Sequence, residues 1–350
     1  MALSLAAPAH AQPTTPTGPT LLKSLVYVRA VRLTRLWKSP TVSVGDTWCW
    51  MPEVTFTVLG PVPLGSQFTV DYTKSTGAPW YSVECPTYKV EPGGYGRFQS
   101  PVAPGHADKR ATLAIGTFGF KIRYANSLSG AHSTLMTGKF SVNKIHKGIA
   151  TAAFKNQFEY TVNQDWRLPV GFLWYNMQND PKVPYLTASM WIKGDSDDTR
   201  LAGYLFYNGK QIASTKSDGT AYKSFSLLAT SGDTNDPTWE YWDFNFATTR
   251  VYNLDTESAN NWDNVFFLDK NPGAYEVRVL RDGHLARTAK FTVGADGKIV
   301  DNGLSAKNNL GTLAFVLPVK VMGTTDGKWD PLAWKTGAFY GNPMQGFTAP

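Results

Sequence analysis

The amino-acid sequence predicts an all-β protein built of two tandem antiparallel β-sandwiches and an aromatic-rich C-terminal extension. Three observations carry this prediction: apolar residues recur at every second position, tight-turn dipeptides separate the alternating runs, and one strand pattern occurs twice. The chain has 350 residues, of which 42% are hydrophobic and 17% charged, with a net charge of +7. This composition can bury a core, which excludes wholesale disorder. The sequence contains no apolar run of the ~18 residues that a transmembrane helix needs.

Apolar side chains alternate with polar ones in runs such as 54–58, 68–72 and 186–192. A period of two puts one face of a strand on a core and the other face in water, as in an antiparallel sheet. The dipeptide Asn208-Gly209 between two such runs predicts a two-residue hairpin turn. The alternation also predicts two buried cores. The first contains Phe56, Val70, Phe120, Ile122 and Phe140, and the second contains Met190, Leu205, Val277, Val279 and Phe291.

A degenerate internal repeat supports two units. Gly116-x-Phe118-x-Phe120-x-Ile122 precedes Lys139-Phe140-Ser141-Val142, and Gly273-x-Tyr275-x-Val277-x-Val279 precedes Lys290-Phe291-Thr292-Val293. Each copy predicts a closing hairpin, which favours two tandem sandwiches over a chance likeness between two β-rich segments. The predicted organisation is a signal-peptide remnant and Pro/Thr leader at 1–20, sandwiches at 21–145 and 146–300, and a C-terminal strand with an aromatic tail at 301–350.

The two closing hairpins resemble those of immunoglobulin-like β-sandwich modules in bacterial exported proteins. The matching residues are above all Pro272-Gly273-Ala274-Tyr275-Glu276-Val277-Arg278-Val279 through Lys290-Phe291-Thr292-Val293, and the resemblance covers about residues 40–145 and 180–300. It implies that both sandwiches are immunoglobulin-like. The antibody-type pair of inter-sheet cysteines around a tryptophan is not found at the corresponding places. Because such modules bind, space or decorate enzymes, the implied fold does not decide the function.

The N-terminal segment indicates export. Residues 1–11 are small and apolar and end in Ala9-His10-Ala11, which is typical of a signal-peptidase site. We therefore expect a periplasmic, cell-surface or extracellular location, the alternative being a chance Ala-rich terminus. In an oxidising compartment, Cys49 and Cys85 predict one disulfide, with two reduced, buried cysteines as the alternative.

No catalytic motif is found, since the sequence lacks a G-x-S-x-G elbow, an H-E-x-x-H helix, a phosphate loop and a dinucleotide fingerprint. We therefore expect neither enzymatic activity nor a cofactor. The strongest candidate for ligand binding is the Trp-rich segment, which comprises Trp239, Glu240, Tyr241, Trp242 and Asp243 together with Trp262 and Asp263. Its aromatic rings suit stacking on sugars, and its carboxylates suit sugar hydroxyls or, as a flanking pair, glycoside hydrolysis. The alternative is that its aromatic residues pack in a core or between domains.

An acidic turn and a basic segment also stand out. Asp195, Asp197 and Asp198 offer the oxygen ligands that Ca²⁺ prefers, although the EF-hand spacing is absent and a solvated hairpin turn is the alternative. Residues 1–45 contain no carboxylate, which favours association with anionic polysaccharide or lipid headgroups. The cations of this segment are Lys23, Arg29, Arg32, Arg35 and Lys38. The alternative is a charged face on an edge strand. No nucleic-acid-binding motif is present, so nucleic acid is not a predicted partner.

The C-terminal residues predict one further strand at 313–321, followed by Trp329, Trp334, Phe339 and Tyr340. This apolar surface must be covered. Either the strand joins a sandwich edge of its own chain and the aromatics clasp the domain interface, or the strand completes a neighbour's sheet in self-assembly. Pro318 removes one ladder hydrogen bond and so favours an edge position. We predict the intramolecular arrangement.

These features predict an exported, non-enzymatic protein that acts in cell-surface or extracellular assembly or adhesion, with a surface or extracellular protein or polysaccharide as its partner. The alternative is a carbohydrate-binding protein that uses the Trp-rich segment, and a glycoside hydrolase is a further alternative. Solvent-exposed rings at Trp239, Trp242 and Trp262 would favour carbohydrate binding. A carboxylate pair at glycosidase separation inside a cleft would favour the hydrolase.

Overall fold

The computed structural model describes residues 18–33, 49–102, 108–146, 158–177, 182–227, 238–254, 265–310, 314–323, 325–333 and 344–350. The described chain consists mainly of antiparallel sheets, which confirms the all-β prediction. None of its helices has both the length and the apolar character required to cross a membrane. The predicted signal-peptidase site at Ala9–Ala11 lies outside the described residues.

The first unit contains two sheets. Its strands are β1 (Thr20–Leu21), β2 (Tyr27–Leu33), β3 (Cys49–Leu59), β4 (Ser66–Thr73), β5 (Pro79–Cys85), β6 (Tyr95–Gln99), β7 (Gly116–Asn126), β8 (His132–His146) and β9 (Phe158–Val162), with a 3-10 turn at Lys23–Leu25. One sheet is built around β3, which pairs with β1 and β2 along one edge and with β6 along the other. The other sheet has the order β5-β4-β7-β8-β9.

The first core lies between these two sheets. Val54 and Phe56 of β3 are fully buried against side chains of the five-stranded sheet, and the Phe56 and Phe68 ring centroids are 5.4 Å apart. All five residues predicted for this core belong to it, so that prediction is confirmed. The hairpin predicted from Gly116 to Val142 is present as β7–β8, with these two residues directly opposite each other.

The second unit forms one ten-stranded sheet. Its strands are β10 (Val170–Asn176), β11 (Tyr185–Lys193), β12 (Leu201–Tyr207), β13 (Lys210–Ser214), β14 (Gly219–Leu227), β15 (Trp239–Arg250), β16 (Phe266–Phe267), β17 (Gly273–Arg281), β18 (His284–Val293) and β19 (Phe315–Val321). The order is β13-β12-β17-β18-β19-β10-β11-β15-β14, and β16 pairs with β15. Helix α1 spans Leu304–Lys307, and 3-10 turns span Asp165–Arg167 and Leu268–Lys270.

The second core and its hairpins follow the sequence pattern. The five residues predicted for this core share one buried cluster, so the prediction is confirmed. Asn208 and Gly209 join β12 to β13 with φ angles of 47° and 84°. Positive φ at both central residues is the conformation that the right-handed twist of a hairpin requires, which explains the Asn-Gly dipeptide.

The C-terminal strand β19 lies in the middle of the second sheet. Phe315 to Pro318 pair with β10, whereas Val319 to Val321 pair with β18. The prediction that the strand is used within its own chain is therefore correct, but the edge position inferred from Pro318 is wrong. Pro318 is the last residue of β19 that pairs with β10, and pairing with β18 begins at the next residue. Its missing N–H therefore interrupts neither ladder of hydrogen bonds. Both strands that pair with β19 in the described sheet, β10 and β18, belong to its own chain.

Two predicted boundaries also change. The boundary at 145/146 falls at the end of β8, and β9 still pairs with β8 through Val142 and Val162, so the first unit extends to Val162. The 301–350 segment is not an appendage to a finished sandwich, because β19 completes the second sheet.

The two faces of β11 are both buried, which differs from the predicted half-exposed strand. Leu186, Ala188, Met190 and Ile192 face the second core as expected. On the opposite face, Thr187 and Ser189 are fully buried and Trp191 is 2% exposed. Trp191 packs there with Tyr27 of the first unit and with Trp239. The side chains on the second face of β11 are therefore buried in contacts with other parts of the protein and do not face water.

The predicted disulfide is wrong, because Cys49 and Cys85 are both free and buried. Cys49 belongs to the β3 sheet and packs with Leu33, Met51 and Ala111, whereas Cys85 ends β5 in the opposite sheet and belongs to the main core. The Cys49 thiol donates to the Leu33 carbonyl. Burial raises the thiol pKa of Cys49 to about 11 and that of Cys85 to about 12, so neither is activated as a thiolate.

A buried ion pair ties the segment after β19 to the second sheet. The side chains of Arg287 on β18 and Asp326 are fully buried, and the guanidinium donates to the Asp326 carboxylate. The same guanidinium donates to the Trp191 carbonyl at 2.9 Å. Asp326 thus neutralises a charge that the sheet would otherwise leave uncompensated. Because a buried cation without a partner strongly destabilises a fold, this ion pair is important for the stability of the second unit.

Arg167 joins the two units. Its guanidinium donates to the Val26 carbonyl at 2.6 Å and stacks on the rings of Tyr27, Trp166 and Trp191 at 4.2–5.1 Å. Burial lowers the pKa of Arg167 to about 10, so the group remains a cation at neutral pH. Backbone from the first unit and aromatic rings from both units thus hold one buried cation at the junction.

Candidate functional site

The structure divides the Trp-rich segment between the two faces of β15. Because successive side chains on a strand alternate, Glu240 and Trp242 face one side, whereas Trp239, Tyr241 and Asp243 face the other. Trp239 and Trp242 are each only 2% exposed. These two rings therefore do not form the exposed platform that would favour sugar binding, and they pack as the alternative interpretation held. Trp262 and Asp263 lie outside the described residues.

The buried polar atoms of this segment are used in structural contacts. The Trp239 indole N–H donates to Asp165 at 2.8 Å, and Asp165 also accepts from Lys193 and from the Asp330 backbone N–H. Glu240 accepts from Lys223 Nζ at 2.8 Å. The positions of Glu240 and Asp243 on opposite faces of β15 prevent this pair from flanking one glycosidic bond.

The acidic turn does not form the predicted calcium site. Asp197 accepts from the Thr199 hydroxyl and from the backbone N–H groups of Thr199 and Arg200, so its carboxylate caps the turn before β12. Asp195 and Asp198 do not join it in a ligand cluster, and no group of three metal-ligating residues occurs in the described part of the chain. The three carboxylates of this turn are on exposed residues, as the alternative interpretation held, but the turn is not a hairpin, because β11 pairs with β10 and β15 and β12 pairs with β13 and β17.

The basic N-terminal segment is described only in part. Arg29 on β2 pairs with the buried carboxylate of Glu53 on β3, which also accepts from Gln99 at 2.6 Å. One of the predicted surface cations therefore neutralises a buried anion. Arg35 and Lys38 lie outside the described residues.

A cavity of about 350 Å³ opens where the two units and the C-terminal segment meet. We call it the interface cavity. It is lined by Leu22, Leu25, Thr57 and Tyr95 of the first unit, by Phe172, Trp174, Tyr241 and Asp243 of the second, and by Leu310 and Ala314. Two residues of the Trp-rich segment, Tyr241 and Asp243, thus line a cavity, whereas Trp239 and Trp242 are not among its lining residues. The walls are mainly apolar, and Asp243 supplies the one charged side chain among these lining residues.

The strand register explains how Asp243 reaches the cavity. Phe172 on β10, Ser189 on β11 and Asp243 on β15 are directly opposite one another, so they lie in one row on the same face. The Trp174 indole N–H donates to Ser189 Oγ at 2.8 Å, and Ser189 Oγ donates to the Asp243 carboxylate. Burial raises the pKa of Asp243 despite this hydrogen bond.

Substitution Asp243→Asn is expected to raise the free energy of unfolding relative to the parent protein, and to do so more at pH 7 than at pH 4. A raised pKa in the fold means that the neutral acid is favoured there, so stability is present below the unfolded pKa and is lost as pH rises through the folded value. Asparagine removes this loss and keeps an acceptor for Ser189. Urea unfolding of both proteins at the two pH values measures the difference.

Asp71→Asn is the matched control, because the hydrogen bond from Arg123 lowers the pKa of Asp71. The contribution of Asp71 to the free energy of unfolding has the opposite sign, because it is present above the unfolded pKa and is lost as the pH falls. Asp71→Asn should therefore be less stable than the parent protein at pH 7. A loss of stability at pH 7 in Asp243→Asn as well would contradict the account of Asp243.

A second concave surface lies on the outer face of the five-stranded sheet, with a volume of about 670 Å³. We call it the outer groove. Lys121 on β7 and Lys139 on β8 stand on this face, and Lys74 lies in the β4–β5 turn beside it. Gly119 is one of its lining residues, where an added Cβ would lie 3.2 Å from the Thr73 Cβ. The groove hydroxyls belong to Thr73, Ser75, Ser82, Thr117 and Thr137.

The outer groove carries a net positive charge. Its one carboxylate, Asp71, is bound by Arg123 through two hydrogen bonds of 2.6 and 2.8 Å and accepts from Ser82 at 2.6 Å. Arg123 thereby neutralises Asp71, and the three lysines Lys74, Lys121 and Lys139 outnumber the acidic residues among the described lining residues. All three lysines are exposed.

Sequence reasoning did not find either concave surface. The groove lysines are far apart in the chain, and only the register that sets Asp71 opposite Lys121 and Gly119 opposite Lys139 assembles them. Alternation does put Asp71, Gly119 and Lys121 on the polar faces of their strands, which is the signal that a search could use. Comparison with models of known protein families and with curated protein sequences gives no match to this chain.

Proposed function

We propose that this chain is an exported, non-enzymatic β-sandwich protein of cell-surface or extracellular adhesion, and that its outer groove binds an acidic polysaccharide. The observation that carries the proposal is the charge and chemistry of the groove. Three exposed lysines surround an open floor, and the only carboxylate among the lining residues is neutralised by Arg123. Lysines attract the anionic groups of a polymer, and the surrounding hydroxyls exchange hydrogen bonds with its sugar hydroxyls.

The shape of the groove favours a polymer. It crosses β4, β5, β7 and β8 on an exposed sheet face and is open to solvent, so a long chain can enter without a backbone rearrangement. A deep, enclosed site would instead favour a small ligand. The proposal moves the expected carbohydrate site from the Trp-rich segment to the first unit, because Trp239 and Trp242 are buried.

The other parts of the proposal rest on separate observations. Export is supported by the sequence Ala9-His10-Ala11. A non-enzymatic role is supported by the separation of Glu240 and Asp243 onto opposite faces of β15. An immunoglobulin-like organisation is supported by the repeated closing hairpins β7–β8 and β17–β18.

Polysaccharide binding is tested by titrating the protein with alginate, dextran sulfate and neutral dextran. We expect binding to the two acidic polymers, weakening as salt is raised, and none to dextran. The double variant Lys74→Glu/Lys121→Glu should weaken binding by roughly tenfold or more, because it replaces two attractive contacts by repulsive ones.

Lys210→Glu/Lys216→Glu is the matched control. It makes the same change in net charge on exposed lysines of the second unit, away from the groove. It should weaken binding far less than the groove variant does. Equal losses in the two double variants would show that net charge and not the groove binds the polymer. Equal binding of dextran and alginate would also overturn the proposal.

A further inference from the structure

The interface cavity combines aromatic walls with one acidic group. Tyr95 comes from the first unit, and Phe172, Trp174 and Tyr241 come from the second. Phe172 and Tyr241 approach edge to face, with ring centroids 6.4 Å apart. Asp243, which is only 4% exposed, lies beside them. Four aromatic side chains from two units thus line the same cavity as a buried carboxyl group.

This combination has a specific recognition chemistry. Aromatic faces carry negative potential and attract cations, most strongly where water is excluded. A carboxylate in an apolar site lacks the water that would otherwise solvate it, so a cationic ligand compensates it better than a neutral one. The apolar remainder of the lining, including Leu22 and Leu310, suits a hydrocarbon body attached to that cation.

The polar groups around Asp243 are already arranged for this role. Trp174 is held by its hydrogen bond to Ser189, and Ser189 donates to Asp243 Oδ1. These contacts fix the carboxyl group and one aromatic wall before a ligand arrives. A preorganised site loses less conformational entropy on binding.

We propose that the interface cavity binds an organic ammonium ion with an apolar body, its nitrogen beside Asp243 and its body against the aromatic and leucine side chains. A neutral apolar molecule would leave the charge of the Asp243 carboxylate without a counter-ion, and an anion would be repelled by it. The ligand would contact both units, so it would also strengthen the junction near Arg167.

The proposal is tested by isothermal titration of the full chain with hexylammonium and with 1-hexanol, which has a similar length and no charge. We expect the cation to bind at least about tenfold more tightly than the alcohol, since a desolvated cation–π contact and an ion pair act together. Benzyltrimethylammonium, which has no N–H, should also bind if the aromatic walls contribute as argued.

Two variants locate the site. Asp243→Asn keeps the size of the side chain and should clearly reduce the preference for hexylammonium over 1-hexanol, leaving only the part that the aromatic walls contribute. Asp198→Asn removes the charge of an exposed carboxylate outside the cavity and should leave the preference unchanged. Failure of both ammonium ions to bind, equal affinity for hexylammonium and 1-hexanol, or an unchanged preference in Asp243→Asn would each overturn the proposal. None of these outcomes depends on the outer groove.

Discussion

Substitution Asp326→Ala is expected to lower the free energy of unfolding by about 3–5 kcal/mol, because it leaves a buried cation without its partner. Arg287 is fully buried, and its remaining hydrogen bonds are to the carbonyls of Trp191 and Ala286. Carbonyl oxygens solvate the guanidinium but do not neutralise it. Urea unfolding of the parent and the variant measures the change.

Two further variants make this test specific. Asp282→Ala breaks the exposed pair between Arg200 and Asp282, whose side chains are 44% and 46% exposed, and should have a much smaller effect. The double substitution Arg287→Met/Asp326→Leu removes both buried charges and should recover most of the lost stability. If Asp326→Ala and Asp282→Ala have equal effects, the buried pair is not the tie described above.

Deletion of residues 301–350 is expected to abolish the cooperative melting of the second unit. The deletion removes β19 from between β10 and β18, which leaves two inner strand edges unpaired and opens the second core. Leu317→Ala is a milder form of the same test and should lower the free energy of unfolding by about 2–5 kcal/mol, because Leu317 is buried in that core.

Lys320→Ala is the control on the same strand, since Lys320 is exposed, and it should melt close to the parent. Calorimetry and sedimentation of each protein provide the measurements. If the truncated chain melts with the parent, β19 does not complete the sheet. Full-length oligomers that the truncation converts into stable monomers would instead support strand exchange between copies.

Local sequence patterns predicted those features of the fold that depend on neighbouring residues in the chain, namely the buried faces of the strands and one tight turn. Alternation identified Phe56 and Met190 as core residues because a one-residue shift in register would expose every apolar side chain of the strand. The Asn208-Gly209 turn could also be predicted from the sequence, since the backbone conformation there is set by two adjacent residues.

Non-local pairing explains what the sequence could not predict. Pro318 indicated an edge strand, but no local pattern reveals that a strand changes neighbours at its proline. The same limit applies to Trp239, whose buried indole N–H donates to Asp165 in a turn that is distant in the sequence. The export signal and the even cysteine count suggested a disulfide. Only the three-dimensional structure shows that Cys49 and Cys85 are both free and lie in different apolar clusters.

The central claim is that the outer groove is the polysaccharide-binding surface, and cross-linking tests it most directly. A carbodiimide joins carboxylates of bound oligoalginate to lysines that they touch, and peptide mass spectrometry identifies those lysines. We expect modification of Lys74, Lys121 and Lys139, suppressed by excess dextran sulfate and not by dextran. Modification mainly at Lys210 and Lys216, or equally at all exposed lysines, would contradict the assignment of the groove.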